Sequence, residues 1–205
     1  KNPRRTSVLP FLQGLEKLSE SFNIYYSTFY EKNGFKEALA GDLIHTKEGR
    51  LVLYIAAHGT ERHIAEKISL QKFFESVKRV GRLKNIEGVI VGCCLVGRRD
   101  RYFQNTLKGT NIRWIFGYNC QIEWLHSTLV DISVLNEMMK IDEDNLRYQE
   151  TMLAHFENAL GRFDGDASIG GKNMLRDSIV LVVQPKGAKH PKNVTSDLCT
   201  RLQWS

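Results

Sequence analysis

Cysteine and proline are both scarce in this sequence, with four of each in 205 residues. The cysteines are Cys93, Cys94, Cys120 and Cys199. Two are adjacent, and neighbouring cysteines rarely bridge because the ring is strained, so no disulfide framework is expected. No C-x-x-C pair occurs, and the six histidines show no zinc-ligand spacing beside the cysteines. Long apolar runs are missing too. The longest, 51–57 and 89–96, fall far short of the roughly 18 residues a membrane span needs. No charged-then-apolar leader ending in small residues marks secretion. These absences predict a soluble, membrane-free domain in a reducing cytoplasm. The sequon at Asn193-Val194-Thr195 then carries no weight. The sequence also lacks internal repeats and low-complexity linkers, and so few prolines leave no obvious hinge.

A block of one charge is the last absence. Twenty-nine basic against 23 acidic side chains give +6, spread over loose groups such as Lys72, Lys78, Arg79, Arg82 and Lys84, or Arg98, Arg99 and Arg101. A pI near 9.1 permits nucleic-acid contact. Without a recognition helix or stacking aromatics, the charge reads as solvated surface, and nucleic acid is not an expected partner.

What is present is an ordinary globular composition, 42% apolar and 25% charged, on a chain long enough for a buried core. Apolar spacing alternates between two periods. Phe11, Leu15, Leu18 and Phe22 recur at helical spacing, while 24–30 is β-branched and aromatic like a strand. Segment 35–43 reads helical and 50–57 is a continuous apolar strand. Leu70, Phe73, Phe74, Val77 and Val80 form a clean helical stripe. Strand 88–93, helix 102–107 and strand 112–118 follow, then helices marked by Ile132, Leu135 and Met139 and by Met152, Phe156 and Leu160. A last strand at 178–183 precedes a polar tail at 186–205. Alternating strands and helices predict an α/β fold: a doubly wound, mostly parallel sheet with helices on both faces. One domain spans 1–185. In such sheets functional groups gather just beyond the carboxyl ends of the strands.

Two strand ends carry chemistry. Residues 51–57 run into His58-Gly59, and 89–92 into Cys93-Cys94. The 36 residues from His58 to Cys94 hold one helix, enough for a single crossover, so the two strands can be neighbours. A thiol within reach of imidazole becomes the nucleophilic thiolate. Small residues (Ala56, Ala57, Gly59 and Gly92) leave room for a substrate backbone, and the amides of Gly59 and the nucleophilic cysteine can face a developing oxyanion. A buried cysteine pair beside a core histidine is the bland alternative. Pairing at consecutive strand ends favours function.

These two elements resemble the caspase-like cysteine peptidases, especially the bacterial CHAT-type and related branch. Phe116-Gly117-Tyr118, followed by Trp124 and Ser127, is similar to the family's next strand and substrate-side loop, and the likeness spans about 8–140. It implies a caspase-like sheet and peptide-bond hydrolysis by a Cys–His dyad with no metal or cofactor. The implied partners are a protein or peptide substrate and an activating sensor or adaptor, in bacterial defence or programmed cell death. Cys94 fits the nucleophile better than Cys93, having a small predecessor and Gly97 three residues later. The family's first strand, with its acidic residue, has no counterpart after Lys1, so the sequence reads as a domain without it. Tyr118, Glu123, Trp124 and Asp131 are the candidate substrate-side residues, with Arg98 and Arg99 after the cysteines. The competing class is a catalytically silent caspase-like scaffold that binds a protein partner.

Other motifs fail on their spacing. A tyrosine-phosphatase loop needs Cys-x5-Arg with Gly three residues after the Cys; Cys93 has Arg99 but Val96, and Cys94 has Gly97 but Asp100. In the glycine-rich stretch 165–172, Asp166 and Asn173 break a phosphate-loop register, and Ile169 and Leu175 break a calcium-loop register. A flexible loop able to cap the site is the simpler expectation there.

Overall fold

Strands β4 (Ile86–Gly92) and β5 (Trp114–Tyr118) are buried at every position, as near-continuous apolar runs require when both faces of a sheet are covered. In a computed structural model, which describes residues 7–19, 22–41 and 45–204, they form the centre of a five-stranded sheet. The chain starts with helices α1 (Leu9–Ser19) and α2 (Lys32–Ala40), then β1 (Leu51–Ala56). A small hairpin, β2 (His63–Ile64) and β3 (Ile68–Ser69), leads into α3 (Leu70–Leu83) and β4. A 3-10 turn at Val96–Arg99 and helix α4 (Arg101–Leu107) connect β4 to β5. Helices α5 (Trp124–Met138) and α6 (Gln149–Leu160) follow, then a second hairpin, β6 (Ser168–Gly170) and β7 (Asn173–Met174). The chain closes with α7 (Leu175–Ser178), β8 (Ile179–Val183), β9 (Lys192–Asn193) and α8 (Thr195–Arg201).

The strand order is β1-β4-β5-β8-β9. Alternate side chains split the core in two. Ile90, Trp114, Phe116 and Leu181 pack under α1, α5, α6 and α8 on one face. Val89, Val91, Ile115 and Val182 meet α2, α3 and α4 on the other. Ser69 caps α3, its hydroxyl accepting from the Lys72 amide, and Phe73, Phe74, Val77 and Val80 form the expected buried stripe. No helix among the described residues is long and apolar enough to cross a membrane.

Four sequence expectations change. The sheet is mixed rather than mostly parallel: β1, β4 and β5 run parallel, but β5–β8 and β8–β9 are antiparallel. The reason is arithmetic. One helix between strands returns the chain to the starting edge, whereas the α5–α6 pair goes down and back. The turn between them lies at the far edge, where the Arg50 guanidinium donates to the Ile141 carbonyl at 2.7 Å. Segment 24–30 forms no strand; Tyr25, Tyr26 and Tyr30 are exposed instead. The polar tail is folded: β9 pairs with β8, and Val194 and Leu198 are buried. The helix expected at 35–43 begins three residues earlier, and 42–43 lie outside the described residues, as do 1–6.

Candidate active site

The register of β1 on β4 sets Ala56 opposite Gly92, the last residue of each strand. His58 and Cys94 therefore both lie two residues beyond the same rung at the carboxyl edge. The two loops touch. A Cβ on Gly59 would overlap the Cys94 carbonyl oxygen and stand 3.0 Å from the Cys94 amide nitrogen, so only glycine permits this approach. The loop after β1 is braced by the small hairpin, with Thr60 N–H donating to His63 C=O at 2.8 Å and Ala65 N–H to His58 C=O at 2.9 Å. This ladder pattern makes Gly59 and Ile64 a non-hydrogen-bonded pair. Among the described residues, neither the Gly59 nor the Cys94 amide donates a hydrogen bond.

Beyond Cys94 the chain turns sharply. Leu95 adopts the left-handed conformation at φ 64°, a strained geometry for a residue with a Cβ, of the kind that gathers at functional sites. Its amide donates to the Cys120 carbonyl at 2.9 Å. Arg98 pairs with Glu61 of the β1 loop and donates from Nε to the Asn119 carbonyl at 3.0 Å. The loops after β1, β4 and β5 are thus joined to one another.

The two adjacent thiols have opposite environments. Cys93 is fully buried, its Sγ lies 3.7 Å from the Ile55 carbonyl oxygen, and burial pushes its pKa far above the usual thiol range. It is inert packing. Cys94 is half-buried. Its Sγ accepts from the Ile122 amide at 3.4 Å and lies 3.7 Å from the Ile122 carbonyl oxygen. His58 is exposed, and among the described residues no hydrogen bond joins its ring to Cys94. Such contacts often close only around a substrate.

The expected substrate-side residues divide. Tyr118 and Asp131 are 0% and 1% exposed and bonded to each other at 2.7 Å, so they do not wall a pocket. Tyr118 points beneath the sheet edge and Asp131 lies on the inner face of α5. Trp124 is half-buried against the core at the start of α5. Glu123 is exposed, and its carboxylate lies 3.3 Å from His126 Nδ1. Arg98 lines an open groove of about 590 Å³ together with Cys120, Lys172 and Asn173, whereas Arg99 is outside it. The expected flexible loop is the β6–β7 hairpin. A Cβ on Gly170 would stand 2.7 Å from the Gln121 carbonyl oxygen and 2.9 Å from the Ile122 Cα, so this hairpin rests on the segment that meets Cys94.

Cys120 was not singled out from the sequence. Burial raises its pKa, and the Cys94 thiol adds to the effect. The available signal was positional: Cys120 stands two residues past β5, as His58 and Cys94 stand past β1 and β4. The chain matches no protein-family model, no curated protein and no solved structure.

Proposed function

We propose that the chain is a caspase-like cysteine endopeptidase built on a doubly wound sheet. The Cys94 thiolate attacks the scissile carbonyl carbon, having given its proton to His58. The tetrahedral intermediate expels the amine, which takes that proton from the imidazolium and leaves a thioester on Cys94. A water molecule, deprotonated by His58, then attacks the thioester and releases the acid. The amides of Gly59 and Cys94, which donate no hydrogen bond among the described residues, then hold the oxyanion. One observation carries this reading: the Ala56–Gly92 rung brings His58 and Cys94 to the same edge with Gly59 against the Cys94 main chain. By its resemblance the protein is a regulated effector of bacterial defence or cell death, switched on by a sensor or adaptor.

The test is cleavage of a peptide library by the wild type, Cys94→Ala and Cys93→Ala. Activity lost in the first variant and kept in the second is expected. Full activity in Cys94→Ala refutes the nucleophile. The exposed His58 ring, with no hydrogen bond to Cys94 among the described residues, favours the second reading, a silent scaffold. That reading requires no turnover and no Cys94 labelling by thiol-reactive peptides.

A further inference from the structure

A carboxyl group lies buried under the edge that carries His58 and Cys94, and the proposed chemistry does not use it. Asp131 belongs to α5, whose buried residues include the apolar Val130, Val134, Leu135 and Met138 and the polar Ser127, Thr128 and Glu137. Enclosing a carboxyl there costs several kcal/mol unless hydrogen bonds compensate, and an aliphatic side chain would fill the place without that cost. Two hydroxyls compensate. Tyr54 Oη donates to Oδ2 at 2.9 Å and Tyr118 Oη to Oδ1 at 2.7 Å.

Each partner comes from a different parallel strand. Tyr54 lies two residues before the end of β1, and Tyr118 is the last residue of β5. The third strand takes part through a missing side chain: a Cβ on Gly92, the last residue of β4, would stand 2.7 Å from Oδ2 and 3.1 Å from the Tyr54 ring. The carboxylate therefore sits on the β4 main chain two residues before Cys94. Tyr118 Oη also lies 3.3 Å from the Ser127 carbonyl oxygen, so the first turns of α5 are tied to the same strand ends. Ile122, whose amide meets the Cys94 sulfur, stands two residues before α5 begins.

We infer that Asp131 is a positioning residue: through Tyr54, Tyr118 and the bare Gly92 backbone it aligns the ends of β1, β4 and β5, and so places the Ile122 amide on the Cys94 sulfur. Asp131 touches neither thiol nor substrate. The inference rests on the proposed dyad for its catalytic meaning but concerns the state of one thiol. The groups facing the carboxyl are Tyr54 from β1, Tyr118 from β5 and the Cys93 thiol after β4, which feels its charge. Burial raises the carboxyl to about 7, against the pull of both tyrosine hydrogen bonds. The cluster is therefore sensitive near neutral pH.

The experiment measures iodoacetamide alkylation of Cys94 from pH 5 to 9 in the full chain, with the modified residue located by mass spectrometry. Wild type is compared with Asp131→Asn, Tyr54→Phe and Tyr118→Phe. The tyrosine variants remove one hydroxyl each and keep the packing, so they report even if the aspartate variant fails to fold. Misplacement of a reactive group by an ångström costs about a hundredfold. A fall of about tenfold or more in the Cys94 rate, or a shift of its pH midpoint by about one unit, is expected in every folded variant. In a wild type that cleaves peptides, kcat should fall in the variants with KM unchanged. An unchanged alkylation profile in the folded variants overturns the inference. A wild type that cleaves nothing refutes the peptidase reading alone, because the alkylation comparison still decides whether Asp131 positions Cys94.

Discussion

Replacing Asp131 by asparagine should remove a loss of stability with rising pH, with a size that follows from burial. The carboxyl titrates near 3.8 in the unfolded chain and is pushed up to about 7 in the fold. Between those values the folded chain holds a proton that the unfolded chain has released, so raising the pH favours unfolding. The stabilisation is complete below about pH 4 and is lost as pH rises through about 7. At about 1.4 kcal/mol per tenfold change in proton affinity, the displacement from 3.8 to about 7 amounts to about 4 kcal/mol. Relaxation around a buried ion reduces this to about 2–4 kcal/mol, a large share of the 5–15 kcal/mol typical of a domain. Asparagine has no charge to bury at any pH and loses about 1 kcal/mol through one impaired tyrosine hydrogen bond. Urea unfolding followed by tryptophan fluorescence at pH 4.5, 6, 7 and 8 gives both curves. By pH 4.5 the wild type has already lost about 1 kcal/mol of this stabilisation, so the two proteins should be close there and the variant the stronger at pH 8. Parallel curves across that range refute the reasoning, because every other titrating group cancels in the difference.

Cys93→Ala should leave Cys94 labelling intact while lowering stability by about 1 kcal/mol through a small core cavity, whereas Cys94→Ala should abolish labelling at the site; intact-mass analysis after alkylation separates them. Gly59→Ala forces a methyl group into the Cys94 carbonyl oxygen and should cost about 1–3 kcal/mol in overpacking, read from the urea midpoint, with loss of Cys94 reactivity. Ala65→Gly relieves a positive φ of 49° in the small hairpin and should raise stability by up to about 1 kcal/mol; an unchanged or lower melting temperature counts against the left-handed turn. Glu61→Gln breaks the exposed pair with Arg98 and should change global stability by less than about 1 kcal/mol, while speeding proteolysis at 59–62.

The strand ends were legible because their apolar runs stop abruptly at polar or small residues. His58 and Cys94 needed only that the strands be neighbours, and the Ala56–Gly92 rung makes them so. The direction of β8 was not legible from its own five apolar residues, since it depends on how many helices intervene. Segment 24–30 misled for a physical reason: its aromatic, β-branched residues have strand propensity, but propensity does not decide pairing. Val194 and Leu198, four apart in a polar stretch, were the signal that the tail folds back. Asp131 drew notice as a charge near a strand end and was given to the substrate. Its position among Val130, Val134 and Leu135 marked it instead as a carboxyl on a core stripe.

The two-helix return that reverses β8 has a consequence for synthesis on the ribosome. Both halves of the candidate dyad are encoded by residue 94, yet β5 gains its second neighbour only when 179–183 arrives, and the α8 side closes with Leu198. At about 5–20 residues per second, the intervening stretch takes about 5–20 seconds to make. Throughout that interval the sheet presenting His58 and Cys94 has one of its two central strands open along an edge. A nascent chain therefore carries the reacting groups well before it carries the scaffold that aligns them. The order of the genetic message thus delays assembly of the complete site until residues 179–198 have been made.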